Sequence, residues 1–140
     1  MSKNRLEAFS DGIFAIIITI MVLELKTPSS GMWNELSEPA FYETLISYIL
    51  SYLFVASFWI SHHTILYQIK KVDRTLLWAN IGLFLPISLV PFATGWQGKF
   101  IGEVAPSVCY VGIYTLSVFG LYILGKIASD RVLESKKLNA

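Results

Sequence analysis

Long apolar runs alternate with short polar stretches along the chain. The runs extend over about Glu7 to Leu25, Phe41 to Ile69, Thr75 to Gln97 and Pro106 to Gly125. A spanning helix needs about 20 mostly apolar residues, so each run is predicted to cross a membrane, the first being the shortest. Strands are excluded, because the runs are too long and lack the alternation of a membrane barrel. The predicted fold class is an all-α integral membrane protein, a single transmembrane domain over 1–140 with four helices (7–25, 41–69, 75–97, 106–125). The connections agree. "KTPSSGMWNELSEP" at 26–39 reads as a loop. "KKVDR" at 70–74 reads as a tight charged turn, and "GKFIGEVAP" at 98–106 as a second loop that delivers Pro106 to the first turn of a helix. Pro86 and Pro91 are predicted to bend or break the third helix. The polar tail from Ser129 is predicted to begin as helix.

Composition strengthens the membrane reading. The 140 residues are 54% hydrophobic and 15% charged, whereas a soluble domain is about a quarter charged. The net charge of +1 says nothing about nucleic acid, but no basic stripe or low-complexity tract is present, so no nucleic-acid partner is predicted. Cys109 is the single cysteine, so no intrachain disulfide forms. The first run does not read as a signal peptide. Glu7 and Asp11 interrupt its start, and Glu24 and Lys26 stand where a cleavage site needs small residues. Lys3, Arg5, Lys70, Lys71, Arg74, Lys126, Arg131, Lys136 and Lys137 fall on one side of the predicted spans. Only Lys26 and Lys99 fall on the other, with Glu35, Glu38, Glu43 and Glu103. By the positive-inside rule both termini are cytoplasmic and the protein is a multi-pass protein of the cell membrane. Trp33, Phe41, Tyr42, Trp96 and Phe100 mark the outer ends, and Tyr67 and Trp78 the inner ends.

Polar and ionisable groups inside the spans are the candidate functional residues, because lipid cannot solvate them. Arg5, Asp11, His62, His63 and Asn80 all belong to the inner layer. They are expected to meet between helices and fix the rotation of the first helix. The alternative is that Arg5 and Asp11 reach headgroup water. Adjacent histidines point about 100° apart on a helix and do not chelate one ion together, so no metal is predicted. No nucleophile triad or phosphate loop is present, so neither an enzyme nor a cofactor is predicted. Ser47 and Ser51, and Ser57 and Ser61, are expected to permit close backbone approach and hydrogen bonds between helices, and Gly112 and Gly120 to serve similarly on the fourth helix. On the first helix Ile16, Thr19, Ile20 and Leu23 form one stripe at helical period. Periodicity alone leaves two readings open: ordinary packing, with Thr19 bonded to its own backbone, or the lining of a pore.

"RLEAFSDGIFAIIITIMVLEL" at 5–25 resembles the first helix of the transmembrane protein 175 family of potassium channels, prokaryotic branch. The family motif, Arg-x-x-x-Phe-Ser-Asp, stands here as Arg5, Phe9, Ser10 and Asp11. "FWISHH" at 58–63 and "LLWANIGLFLPISLVPFAT" at 76–94 are similar to its second and third helices. The resemblance implies a potassium-preferring cation channel with K+ as the permeant ion and no TVGYG-type carbonyl filter. It implies an assembly, predicted to be a homotetramer, in which first helices surround a central axis. Ile16 takes the narrowest position, Thr19 the threonine layer, and Ile20 and Leu23 further apolar rings. Arg5, Ser10, Asp11, Asn80 and a histidine of the second helix take the polar network, with His62 preferred and His63 not excluded. Prokaryotic members usually carry six spans per subunit; this chain supplies four, as a fragment or as a shorter natural variant. The competing readings are a membrane redox or cofactor-binding protein that uses His62 or His63, and a truncated, non-conducting subunit.

Overall fold

The computed structural model describes all residues, Met1–Ala140, and contains helices without strands. Helix α1 is Lys3–Ile20, and it tightens into a 3-10 turn over Met21–Glu24. It begins ahead of the predicted span because Ser2 caps it, its hydroxyl accepting the Arg5 N–H at 3.4 Å. A second 3-10 turn, Trp33–Ser37, lies in the first loop. Helix α2 is Pro39–Tyr67, and Pro39 suits its first turn because its missing N–H would have no partner there. Asp73 caps α3, Arg74–Ser88, by accepting the Leu76 N–H at 2.9 Å. Helices α4, Val90–Lys99, and α5, Val104–Leu138, complete the chain. Gly102, at φ 91°, supplies the left-handed residue in the turn between them.

The third apolar run is therefore two helices in series, together long and apolar enough to cross a membrane. Leu89 marks the break. Its N–H turns to the Pro86 carbonyl at 3.0 Å, one residue short of the α-helical partner. The Leu85 carbonyl is taken instead by the Ser88 hydroxyl at 2.7 Å. Pro91 has no N–H to offer the turn before it. Counting α3 and α4 as one, the chain has four helical segments that meet the length and hydropathy needed to span.

Helix α3 packs chiefly on α5, and α4 chiefly on α2. Val55, Leu83, Ile87 and Leu124 are fully enclosed at the centre. Helix α1 leans mainly on α2 and touches α3 and α4 lightly, so much of its circumference stays open. Gly120 permits the close approach of α5 to α3, since a Cβ there would stand 3.2 Å from the Leu83 Cα. Gly112 does not act this way: a Cβ added there meets nothing within 4 Å. It lies on the exposed side of α5, eight residues from Gly120, so shared helix and residue type do not imply a shared contact. Gly120→Val is accordingly expected to destabilise the fold by about 1–3 kcal/mol through overpacking. Gly112→Val should leave the melting temperature of the purified protein nearly unchanged, and equal shifts for the two variants would refute this assignment.

Helix α5 continues past the predicted end of its span. Its 35 residues rise about 52 Å, against a hydrocarbon core of about 30 Å. The extension is tied to the α2–α3 turn by Arg131, whose guanidinium reaches Asp73 through Nη2 at 2.6 Å and Nε at 2.8 Å. The Leu76 N–H, and then the Arg131 charge, hold the Asp73 carboxyl below the ordinary aspartate value. A depressed pKa contributes stability that is full above the ordinary carboxylate range and is lost as pH falls through the depressed value. The protection of amides over 129–138, taken as the exchange rate relative to the intrinsic rate at each pH, is therefore expected to fall as pH drops below about 5 and on through the depressed value. Asp73→Asn keeps the cap and removes the charge, so it should lower that protection at neutral pH and flatten its pH dependence. The exposed position makes the effect small.

Candidate functional site: the two faces of the first helix

Helix α1 has a closed face and an open one. Leu6, Ser10, Phe14, Ile17 and Met21 are buried, at spacings of four, four, three and four along the helix. On the open side Ile16 is 61% exposed and Leu23 78%, with Ile20 and Thr19 exposed beside them. The change to 3-10 geometry at Met21 brings residues three apart into register, which sets Ile20 and Leu23 one above the other. The four stripe residues therefore share the open face. The Thr19 hydroxyl donates into its own helix, 2.9 Å from the Ala15 carbonyl and 3.0 Å from that of Ile16. Its oxygen keeps acceptor capacity toward the open side.

The closed face carries a buried polar chain. The Asn80 amide donates to the Ser10 hydroxyl at 3.1 Å. The Asn80 carbonyl oxygen lies 2.6 Å from His62 Nε2, which assigns the ring proton to that nitrogen. Ser10 and Asn80 are fully buried and His62 is 1% exposed. One side chain each from α1, α2 and α3 is thus joined in series. Phe14 covers the group, its ring centroid 5.5 Å from that of His62 and 5.1 Å from that of Phe84. The amide bonds two partners at once, so the rotation of α1 about its own axis is fixed at Ser10. That rotation turns Ile16 outward.

The remaining candidates lie elsewhere. Asp11 does not enter the chain of bonds. One residue past Ser10 is about 100° around the helix, and its carboxylate instead accepts the Trp59 indole N–H at 2.9 Å. Arg5 is exposed and forms no ion pair within the chain, because it lies a similar angle from the buried Leu6. Phe9 is 51% exposed. His63 points outward beside Trp59 and Tyr67, so of the two histidines His62 is the one on Asn80. No group of three or more His, Cys, Asp or Glu side chains converges as metal ligands.

Two partners, Trp59 and Tyr110, were not singled out by the sequence. Trp59 precedes His62 by three residues and so shares its side of α2, a spacing that marks it as a partner for α1. A second polar layer holds α2, α4 and α5 nearer the opposite end. Ser47 donates to the Thr94 carbonyl at 3.0 Å, and Ser51 lies 2.7 Å from the Thr94 hydroxyl and 2.9 Å from that of Tyr110. Ser47 and Ser51 signalled this layer; Tyr110 carried no signal beyond its place in an apolar run.

A family model described as endosomal/lysosomal potassium channel TMEM175 matches residues 5–91. The chain belongs to the TMEM175 family. The match covers α1, α2, α3 and the start of α4, and so contains both the open stripe and the Ser10–Asn80–His62 chain. A protein from Chryseobacterium sp. named as a potassium channel is 49% identical over 100 residues, covering 70% of this chain and 50% of its own length. A Streptomyces collinus protein of the same designation is 32% identical over 118 residues, covering 81% of this chain and 56% of its own. The chain thus spans about half the length of these relatives. The crystal structure of a lysosomal potassium-selective channel TMEM175 homolog from Chamaesiphon minutus superposes with a TM-score of 0.82. It is 27% identical and aligns over 97% of this chain and 76% of its own. The TMEM175 fold is therefore present over nearly the whole of the four-span unit.

Proposed function

We propose that this chain builds the pore of a potassium-preferring cation channel, with α1 from each of four copies facing a common axis. The observation that carries the reading is the outward Ile16–Thr19–Ile20–Leu23 stripe on a helix whose opposite face is locked by buried hydrogen bonds. Large apolar side chains facing lipid need no such fixed rotation, whereas a constriction does. Family membership and relatives named potassium channels support the same function. Ile16 forms the narrowest ring, Thr19 offers hydroxyl oxygens about one turn beyond it, and Ile20 and Leu23 extend the apolar lining. Ser10, Asn80 and His62 act as positioning residues. Asp11, Phe9 and Arg5, which lie toward the open side, are placed to meet neighbouring copies. Potassium is the permeant ion, the cell membrane the site of action, and the end that holds both termini faces the cytoplasm. A redox role for His62 has less support, since Asn80 occupies its Nε2 and Phe14 and Phe84 pack its ring.

The test combines potassium flux into liposomes with disulfide crosslinking of Ile16→Cys and Ile20→Cys. Flux above empty vesicles, and dimers from both variants, are expected. Crosslinks only from cysteines placed on α5, with no flux, would assign the open face of α1 to lipid.

A further inference from the structure

A cleft of about 620 Å³ opens where the extension of α5 crosses the α2–α3 turn, at the end of the bundle that holds both termini. Lys70 and Lys71 line it from the turn and Lys136 from the last turns of α5. Asp73, Arg131 and Glu134 also line it, but they are engaged with one another: Arg131 holds Asp73 and reaches Glu134 at 3.4 Å. None of the three lysines has an ion-pair partner. Like charges drawn from two separate segments, with the nearby carboxylates already occupied, form a receptor for an anion. The Asp73–Arg131 pair fixes the distance between the two basic walls.

The depth of the cleft narrows the chemistry. Tyr67, at the end of α2, and Trp78, in the second turn of α3, are both exposed on this end of the bundle. Such aromatic residues settle at the headgroup level of a bilayer. Ile69, Val132 and Leu138 add apolar surface to the lining, and Leu138 is largely exposed. A basic pocket between helices at headgroup depth suits a lipid phosphate.

We propose that this cleft is a binding site for a phosphate group, read by Lys70, Lys71 and Lys136 and carried by an anionic phospholipid. A soluble phosphate presents the same chemistry to the same lysines, and the experiment separates the two. The inference stands whether or not the chain conducts, because it uses none of the residues of the α1 stripe.

The test is native mass spectrometry of the purified full chain in neutral detergent, titrated with phosphatidylglycerol, phosphatidylcholine or inorganic phosphate. The variant is Lys70→Gln/Lys71→Gln/Lys136→Gln. All three positions are exposed, so the fold is expected to survive, and its melting temperature checks this. The control is Lys26→Gln/Lys99→Gln, which removes exposed charges at the opposite end. Phosphatidylglycerol is expected to bind saturably and in preference to phosphatidylcholine. The triple variant should weaken it roughly 100-fold, and the control should not. Loss of phosphatidylglycerol binding in the triple variant, without competition from millimolar inorganic phosphate, supports the lipid. Competition at the same three lysines supports the site with a soluble anion as its occupant. Equal phosphatidylglycerol binding by the wild type, the triple variant and the control would overturn the proposal.

Discussion

In the proposed four-copy pore, Ile16→Asn is expected to raise unitary conductance and to lower the preference for potassium over sodium. A ring of isoleucines offers no hydrogen bond, so an ion at its centre must keep its water or lose solvation energy. A narrow apolar ring also tends to empty of water, which makes it a barrier and a gate together. Asparagine places amide groups at the ring, and these wet it and substitute for lost hydration. Every 1.4 kcal/mol or so removed from the barrier is worth about tenfold in rate, so a conductance gain on the order of tenfold is the scale to look for. Selectivity should fall for the same reason. Potassium holds its water less tightly than sodium, and a barrier that demands less dehydration discriminates less between them. Ile16 is 61% exposed in the single chain, so its replacement creates no cavity within it and assembly should survive. Thr19→Ala provides the contrast. It removes an acceptor oxygen without widening the ring, so selectivity should weaken while conductance changes little. Reversal potential and current under bi-ionic potassium and sodium decide the matter. If Ile16→Asn assembles normally and leaves both quantities unchanged, the constriction lies elsewhere.

Hydropathy made the spans legible, because the need to satisfy every backbone group within lipid leaves long apolar runs with little choice but helix. The break at Leu89 was legible too, since two prolines five residues apart leave successive turns without their donors. The reach of α5 was legible only at its start: the tail from Ser129 was expected to begin as helix, and the helix runs on to Leu138. Its last 13 residues, from Lys126 to Leu138, are polar enough to read as a tail, and their helix is secured by a tertiary contact between Arg131 and Asp73. At the site, residue type was more legible than partnership. Ser10 and Asp11 are neighbours in one motif, yet they face different helices, and only the position of the axis decides which reaches Asn80. The same holds for His62 and His63. A pattern of charges names the groups that need partners; the helical angle between adjacent residues, about 100°, then separates them. Arg5 illustrates the remainder. Nothing in one copy of the chain satisfies it, so its role lies with solvent, lipid or a neighbouring copy, none of which a single sequence specifies.

Asn80→Leu is expected to be the most disruptive single change in the buried network, and its cost should shrink when its partners change with it. The substitution leaves the His62 Nε2–H and the Ser10 hydroxyl facing an apolar side chain in a layer closed to water. An unsatisfied buried group costs about 1–3 kcal/mol. Hydrogen bonds between membrane helices average nearer 0.6 kcal/mol, because the separated helices also find partners. For two stranded groups a loss of about 2 kcal/mol is therefore expected. The triple variant Ser10→Ala/His62→Phe/Asn80→Leu strands nothing and keeps a ring beside Phe14 and Phe84. It should recover most of that loss, although it has fewer hydrogen bonds than the single variant's parent by the same count. The two variants should nonetheless agree in function. Both remove the bonds that set the rotation of α1, so both should loosen the alignment of Ile16 and broaden or abolish selectivity. Melting of the purified assembly measures the first effect, and bi-ionic reversal potential the second. A triple variant that melts like the wild type and selects like it would show that packing by Leu6, Phe14, Ile17 and Met21 alone orients the helix. A single variant that melts no lower than the triple would show that the Asn80 amide is not the joint on which these three helices turn.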